Sequence, residues 1–434
     1  MWARLKTIWQ AVNASYWFYP GLFSLSALLL ALLTIHLDRI GWAEWLGGVN
    51  WLETARPEGA SNMLTVIASA MIGVAATVFS ITIAAVAYAS STYGPRLLTN
   101  FMEDRGNQLS LATFIGTFVY ALTVLHAVRT GAEEAGSSTG FVPQLSLLVA
   151  YALMALSVAV LVFFLNHIPA SIRINAVLQG IGERLIRDIA SRFPDDARGE
   201  TVMRAPQGRP VSASGTGYIQ AIDFERLERI AQSVGGTLKL GVRTGDFVHP
   251  DVPLAFWADD DGLDDLRDEE ICACMMLGGM RTPAQDLHFL IDELVEIGLR
   301  ALSPGINDPF TAITATHWLG AATAELARRD LTRCFGDADS ADEDRLVLLN
   351  DDFAHFVGRG FGALRSGLAT SPTAARVAFD AIANAGTTCM DESRLAELRK
   401  EGEQLMRQAR EALSGPDLEM VEARYHIFTE RFAG

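Results

Sequence analysis

MLTVIASAMIGVAATVFSITIAAVAY, residues Met63 to Tyr88, carries no charged side chain in twenty-six positions. About twenty apolar residues cross a bilayer core as a helix, so the run predicts a membrane span with room to tilt. Ser69, Gly73, Ala76, Ser80, Ala84 and Ala87 recur every three or four residues and share one helical face. Val66, Ile67, Val74, Val78, Ile81 and Ile83 make the opposite side bulkier. Small faces let helices approach closely, and in a symmetric assembly the same face lines a narrow pore. Tight packing, and pore lining by Ser69, Gly73, Ala76, Ser80 and Ala84, are both open readings.

Working outward, three more apolar runs centre near residues 20–36, 109–128 and 145–165, so residues 1–169 predict a four-helix membrane domain. Trp9, Tyr16, Trp17, Phe18 and Tyr19 form an aromatic belt before the first span. Gly41 to Asn62, with Glu44, Glu53, Arg56 and Glu58, reads as an interfacial loop or short helix. Gly94 and Pro95 end the second span. Lys and Arg concentrate at the N-terminus, after the second span and after the fourth, which places both chain ends in the cytoplasm. Three spans follow the first apolar run and no small-residue cleavage site closes it, so a bacterial inner-membrane protein without a cleaved signal is expected. His126 and His167 stand at span ends, and no charge lies inside a span.

Charge divides the chain of 434 residues sharply. Up to Ala170 there are seven Lys/Arg against eight Asp/Glu; after it there are 28 against 43, so nearly all of the net charge of −16 sits in the second part. An acidic surface argues against nucleic acid as partner and against lying flat on anionic lipid. Cys272, Cys274, Cys334 and Cys389 fit no disulfide framework and no CxxC…CxxC zinc site, so reduced thiols are expected. Cys272 and Cys274 alone are too few ligands for a soft metal.

The second part predicts an α+β unit. Ser171 to Phe193 reads as an amphipathic connecting helix within 170–200, with Ile172, Val177, Ile181, Leu185 and Ile189 at helical spacing. Arg204 to Thr216 is rich in Pro, Gly and Ser and reads as a linker. GYIQAID then reads as a strand, FERLERIAQSV as a helix and TLKLGVRTGDFVHPDVPLAFW as strand, turn, strand, giving a small β-rich module over 201–260. This piece resembles half of a biotinyl- or lipoyl-type hammerhead; no Met-Lys-Met hairpin follows, so no swinging prosthetic arm is implied. Asp259 to Glu270 is a solvated acidic run, and the rest, 265–434, reads as helical. Thr282, Pro283 and Gln285 predict a helix start. Leu287, Leu290, Ile291, Leu294, Ile297 and Ala301 form its buried face, on which the C-terminal helices are expected to pack.

ALSPGINDPFTAITATHWLGAA, Ala301 to Ala322, is the soluble stretch most suited to a ligand. Pro304 and Gly305 break one helix, and Asp308 with Pro309 starts the next. Arg300, Ser303, Asn307, Asp308 and Thr311 crowd the junction, where free N–H groups suit an ion or small anionic ligand; a purely structural elbow is the competing reading. His249, His288, His317, His355 and His426 show no triad spacing with Ser303, so no catalytic residue is assigned. P-loop, dinucleotide-binding, HExxH and EF-hand patterns are missing, so no cofactor and no metal ligand are assigned either.

SSTYGPRLLTNFMEDRGNQLSLATFIGTFVYAL, GYIQAID…VRTGDFVHPDVPLA and RALSPGINDPFTA together resemble the bacterial predicted membrane protein family labelled domain of unknown function 2254, across essentially the whole chain. That resemblance implies a bacterial inner-membrane protein with a cytosolic tail and no assigned activity. The function expected from the residues is a homo-oligomeric channel or transport protein, cation-conducting because an acidic vestibule concentrates cations. The alternative is a membrane-anchored ligand-binding or scaffold protein; a membrane hydrolase ranks third.

Overall fold

The computed structural model describes residues 15–42, 57–94, 104–134, 142–171, 173–195, 208–258, 265–331, 345–349, 351–387 and 389–432. The N-terminal belt up to residue 14, Glu44, Glu53, Arg56, Pro95, Ile172, Cys334, residues 204–207 of the expected linker and residues 259–264 of the acidic run lie outside them. The chain forms two compact units, dividing between Arg173 and Ile174.

The first unit holds helices α1 (Phe18–Arg39), α2 (Pro57–Tyr93), α3 (Arg105–Glu134) and α4 (Gln144–Ser171), each long and apolar enough to cross a membrane. A helix satisfies its own backbone groups, as a hydrocarbon surround requires, and Pro169 interrupts that pattern only near the end of α4. Helix α3, rather than the second span, is the hub: it packs on all three others. In its most apolar window 56% is buried, against 28%, 33% and 22% in α1, α2 and α4. Its advantage is small size where contact is closest. Ala112 and Ala121 are fully buried, and a side chain at Gly116 would meet Cβ and O of Phe23 at 3.4 Å.

Hydroxyl groups and end caps add polar ties. The hydroxyls of Thr117 and Ser157 join α3 to α4 at 2.9 Å, and those of Thr34 and Tyr120 join α1 to α3 at 2.9 Å. At one end Asp38 accepts from N–H of Leu145 (2.9 Å), N–H of Ser146 (3.0 Å) and the Ser146 hydroxyl (2.7 Å), capping α4 from α1. At another, Nε2 of His167 lies 2.8 Å from Asp104.

The second unit begins with α5 (Ile174–Arg192), whose buried stripe is Leu178, Ile181, Leu185 and Ile189. The sequence reads this helix as a connector, yet it is core: it packs on α8 (Leu287–Ala301) and α9 (Pro309–Ala327). Gly182 lets the helices close, since a Cβ there would collide with the Trp318 ring.

Two small sheets share one core. Strand β5 (Pro253–Trp257) lies between β1 (Arg209–Ser212) and β3 (Leu238–Leu240), antiparallel to both, and β7 (Leu346–Val347) adds parallel to β3. Strand β2 (Gly217–Ile222) pairs antiparallel with β4 (Phe247–Val248) and β6 (Met275–Gly278). Helix α6 (Phe224–Val234) buries Leu227, Ile230 and Ala231 beside them, and Trp257 is fully buried.

Strands β6 and β7 correct the all-helical reading of 265–434. Runs of two to four residues have no readable period, and each becomes a strand only by pairing with β2 or β3. The helix start at Thr282 is corrected too. The cap of α8 is Asp286, which accepts from N–H of Phe289 at 3.1 Å. Gln285 instead extends β2, its amide accepting from N–H of Ile222 at 2.9 Å and donating to the Ile222 carbonyl at 3.3 Å.

Downstream come α7 (Asp265–Cys272), α10 (Phe353–Val357), a π-helical turn (Gly358–Gly362), α11 (Ala363–Leu368), α12 (Pro372–Gly386), α13 (Glu392–Ala412) and α14 (Gly415–Arg431). The face of α8 expected to receive the C-terminal helices is covered by α5, α9, the π turn and α11, while α13 and α14 pack on α12 and on each other.

Replacing Asp38 by Ala removes three hydrogen bonds at the α4 terminus and should cost about 1–3 kcal/mol. Thermal unfolding in detergent reads this as a fall of several degrees that an exposed His36→Ala control does not share. Gly182→Ala should cost about 1–3 kcal/mol by overpacking against Trp318. Gly180→Ala, two residues away with open space around it, should be neutral or slightly stabilising; equal midpoints for the two variants would contradict this packing.

Candidate functional site

On α2, Ser69, Gly73, Ala76, Ser80 and Ala84 are all exposed. The stripe of α2 that packs in the bundle is Leu64, Ile67, Ala68, Met71, Ala75, Val78, Thr82, Val86 and Ala89. The expected division into a small and a bulky side therefore holds only in part: Ile67 and Val78 are buried, whereas Val66, Ile81 and Ile83 face outward. The Ser80 hydroxyl donates to the Ala76 carbonyl at 2.8 Å, and Thr77 to Gly73 at 3.0 Å, so these polar groups are satisfied on their own helix.

The five elbow residues come together on a single turn, and that turn is closed on itself. Asp308 accepts from N–H of Thr311 at 3.2 Å and from its hydroxyl at 2.6 Å. The carboxylate thus occupies the positive end of α9, where an external anion would sit. N–H of Asp308 donates to the Ala301 carbonyl at 2.8 Å, N–H of Asn307 to the Ser303 carbonyl at 2.9 Å, and the Ser303 hydroxyl to the Arg300 carbonyl at 2.6 Å. Asn307 takes φ +50, a left-handed conformation that Asn tolerates better than most residues. Nη2 of Arg300 lies 3.8 Å from Glu296.

A different constellation, unassigned by the sequence reading, lies at a half-open cleft of the second unit. Its walls include Phe193, Ile222, Leu240, Val242, Leu287 and Phe356, and its polar lining is Arg192, Arg243, Thr244, Asp286, His288 and Asp351. His288 stands in the first turn of α8. Asp351 precedes α10, whose cap Asp352 accepts from N–H of His355 at 2.7 Å and so turns His355 back over Asp351.

The turn carrying Arg243 is fixed as tightly. Asp246 accepts from N–H of Arg243 at 2.8 Å, and Thr244 donates to the Gln285 carbonyl at 2.7 Å. Gly245 has φ +92, and a Cβ there would run into the Asp286 carboxylate. Asp286 and Asp292 share Arg281 at 2.7 and 2.6 Å, and Asp292 also holds Arg359 of the π turn at 2.8 Å. Burial would raise the Asp292 pKa, but its hydrogen bonds to Arg359 and Arg281 carry it below the usual carboxylate value.

At the centre, Nε2 of His288 is 2.9 Å from Oδ2 of Asp351, Nη2 of Arg243 is 2.5 Å from Oδ1, and Nε2 of His355 is 3.6 Å from Oδ1. The two imidazole rings have centroids 5.0 Å apart. His288 is 9% exposed and the Asp351 side chain 7%, while the His355 side chain is 39% exposed and opens the cluster to solvent. At these distances His288, Arg243 and His355 act on Asp351 as ion-pair partners, although strict hydrogen-bond alignment is not met at Nε2 of His288 and Oδ1 of Asp351. Burial would raise the Asp351 pKa, but His288, Arg243 and His355 hold it below the ordinary value. Burial lowers that of His355, chiefly against the pull of Asp351. The readable signal was the spacing of Asp351 and His355, one helical turn apart; His288 joins them only through the tertiary fold.

Residues 13–384 match the family described as Predicted membrane protein (DUF2254). Rv1290c, an uncharacterized protein of Mycobacterium tuberculosis, is 29% identical over 351 residues, which cover 78% of this chain and 66% of that protein. Mb1321c of Mycobacterium bovis, also described as uncharacterized, shows the same identity and coverage. The chain thus spans just under two thirds of the length of these curated relatives. No solved structure matches the chain. The family match takes in all four spans, both sheets and the His288–Asp351–His355 cluster: the chain belongs to the DUF2254 family of predicted membrane proteins.

Proposed function

We propose that this membrane protein acts as a homo-oligomer whose copies meet through the second span, and that the assembly conducts small cations. One contrast carries the reading. The outward surface of α1 is built from Leu22, Leu25, Leu28, Leu29, Leu32 and Leu33, and that of α4 includes Leu156, Val158, Val162, Phe163 and Leu165, all suited to lipid tails. The outward surface of α2 instead sets Ser69, Gly73, Ala76, Thr77, Ser80 and Ala84 among Val66, Ile72, Phe79, Ile81 and Ile83. Among described residues nothing lies within 4 Å of a Cβ built on Gly73. In lipid, where apolar burial drives no association, such a face gains from close helix contact. Around an axis, its hydroxyl oxygens would offer a narrow polar path. The acidic second unit favours cations nearby. The bacterial inner membrane and cytoplasmic chain ends expected from the Lys/Arg distribution belong to the same proposal.

A second reading, a membrane-anchored protein that binds a small ligand, is favoured by the buried polar cluster in the apolar cleft. The Arg300 to Thr311 elbow gives it less support, because Asp308 fills that helix end.

In a background with the four cysteines replaced by Ser, Gly73→Cys and Ser80→Cys should form disulfide-linked dimers in membranes, while Leu29→Cys on α1 should not. Reconstituted wild-type protein should pass cations, and Gly73→Leu should reduce that flux at least about tenfold by filling the small face. Cross-linking at Leu29 instead of Gly73 and Ser80 would contradict the assembly. Cross-linking without wild-type flux would leave self-association and remove conduction.

A further inference from the structure

We propose that His288, Asp351 and His355 form a binding site for a divalent first-row transition-metal ion. The proposal goes beyond assembly of the spans and gives the cleft of the ligand-binding reading its chemical class, on which reading it rests.

Three observations converge. The first is the donor set, two imidazoles and one carboxylate, one donor atom from each lying within 4.8 Å of the others. That mixture suits zinc, cobalt, nickel or iron(II) better than calcium or magnesium, which prefer oxygen alone. Donors bound at about 2.0–2.2 Å from one ion stand roughly 3–4 Å apart, so a small rotation of the half-exposed His355 closes the site.

The second is the alignment at the centre. Nε2 of His288 is buried 2.9 Å from Oδ2 of Asp351, but the pair falls short of strict hydrogen-bond alignment. A buried nitrogen and oxygen so placed leave their lone pairs open to a third atom.

The third is the surround. Arg243 contacts Oδ1 of Asp351, which orients the carboxylate as an outer-shell partner does and leaves Oδ2 for an ion. Phe356 packs against the His288 ring at 5.6 Å between centroids and limits its rotation. Three protein ligands beside an open cleft leave a coordination position for water or an added ligand. The positive charge of Arg243 works against the ion, so the expected affinity is below that of a closed structural zinc site.

The test uses full-length, untagged protein in detergent, stripped with a chelator and dialysed. Calorimetric titration with Zn²⁺ should give one ion per chain, and Co²⁺ should develop the visible absorption of nitrogen- and oxygen-ligated cobalt. His288→Ala and His355→Ala should each lower Zn²⁺ affinity at least about 100-fold and erase the Co²⁺ spectrum, whereas His317→Ala should change neither. His355 is half exposed, so His355→Ala keeps the test meaningful if His288→Ala fails to fold. Wild-type protein that binds neither ion, or binding that survives His355→Ala in folded protein, overturns the site. If the metal fails, titration of the same protein with inorganic phosphate tests Arg243 and His288 as an anion site: binding lost in Arg243→Ala keeps the ligand-binding reading while removing the metal.

Discussion

Bilayer hydrocarbon offers no hydrogen bonds and no hydrophobic drive for one helix to prefer another over lipid, and that constraint shapes the whole first unit. Backbone groups must close within helices, so the spans are helical from end to end. Choice of partner then rests on close fit and a few polar ties. Helix α3 satisfies both demands, offering Ala112, Gly116 and Ala121 for close approach and Thr117 and Tyr120 for hydroxyl contacts. Helix α2 gives the bundle Leu64, Ile67, Met71 and Val78 beside Ala68, Ala75 and Ala89, and its outward side carries Ser69, Gly73, Ala76 and Ser80 among Val66, Ile72, Phe79, Ile81 and Ile83. Among the described residues, the exposed side of α2 that carries Ser69, Gly73, Ala76 and Ser80 packs on no other helix of the chain.

The second unit obeys the rule for water-soluble interiors, where a buried charge must be paired. Arg281, Asp286, Asp292 and Arg359 form a chain of ion pairs joining the segment before α8, α8 itself and the π turn. Arg394, 1% exposed, donates to the carbonyls of Leu326, Ala327 and Arg329 at the end of α9. Against that background the His288–Asp351 contact stands apart. Its groups are as buried and as close, yet their alignment falls short of a strict hydrogen bond, and a third group, the exposed His355, stands beside them.

The spans were legible because an uncharged run of twenty or more residues has few other solutions. Which face of a span packs inward was not, because in lipid both faces are apolar and amphipathic contrast vanishes; hence the second run, not the third, looked like the centre. In the second unit, GYIQAID, FERLERIAQSV and the turn at Gly245 and Asp246 carried local signals strong enough to read. Strands β6 and β7 carried none, being too short to have a period. The elbow from Ser303 to Thr311 was readable as a turn by its Pro, Gly, Asn and Asp, and the same chemistry that made it look like a site closes it. His288 and Asp351 were invisible as a pair because only the α8 cap at Asp286, the turn at Gly245 and the start of α10 together bring them to one point.

Particle imaging of the detergent-solubilised protein shows most directly what meets the outward face of α2. Assembly through that face predicts a rotationally symmetric oligomer with the second span of every copy nearest the axis and Ser69, Gly73 and Ser80 turned toward it. A monomer, or an oligomer whose contacts run through α1 or α4 with α2 facing lipid, would contradict it.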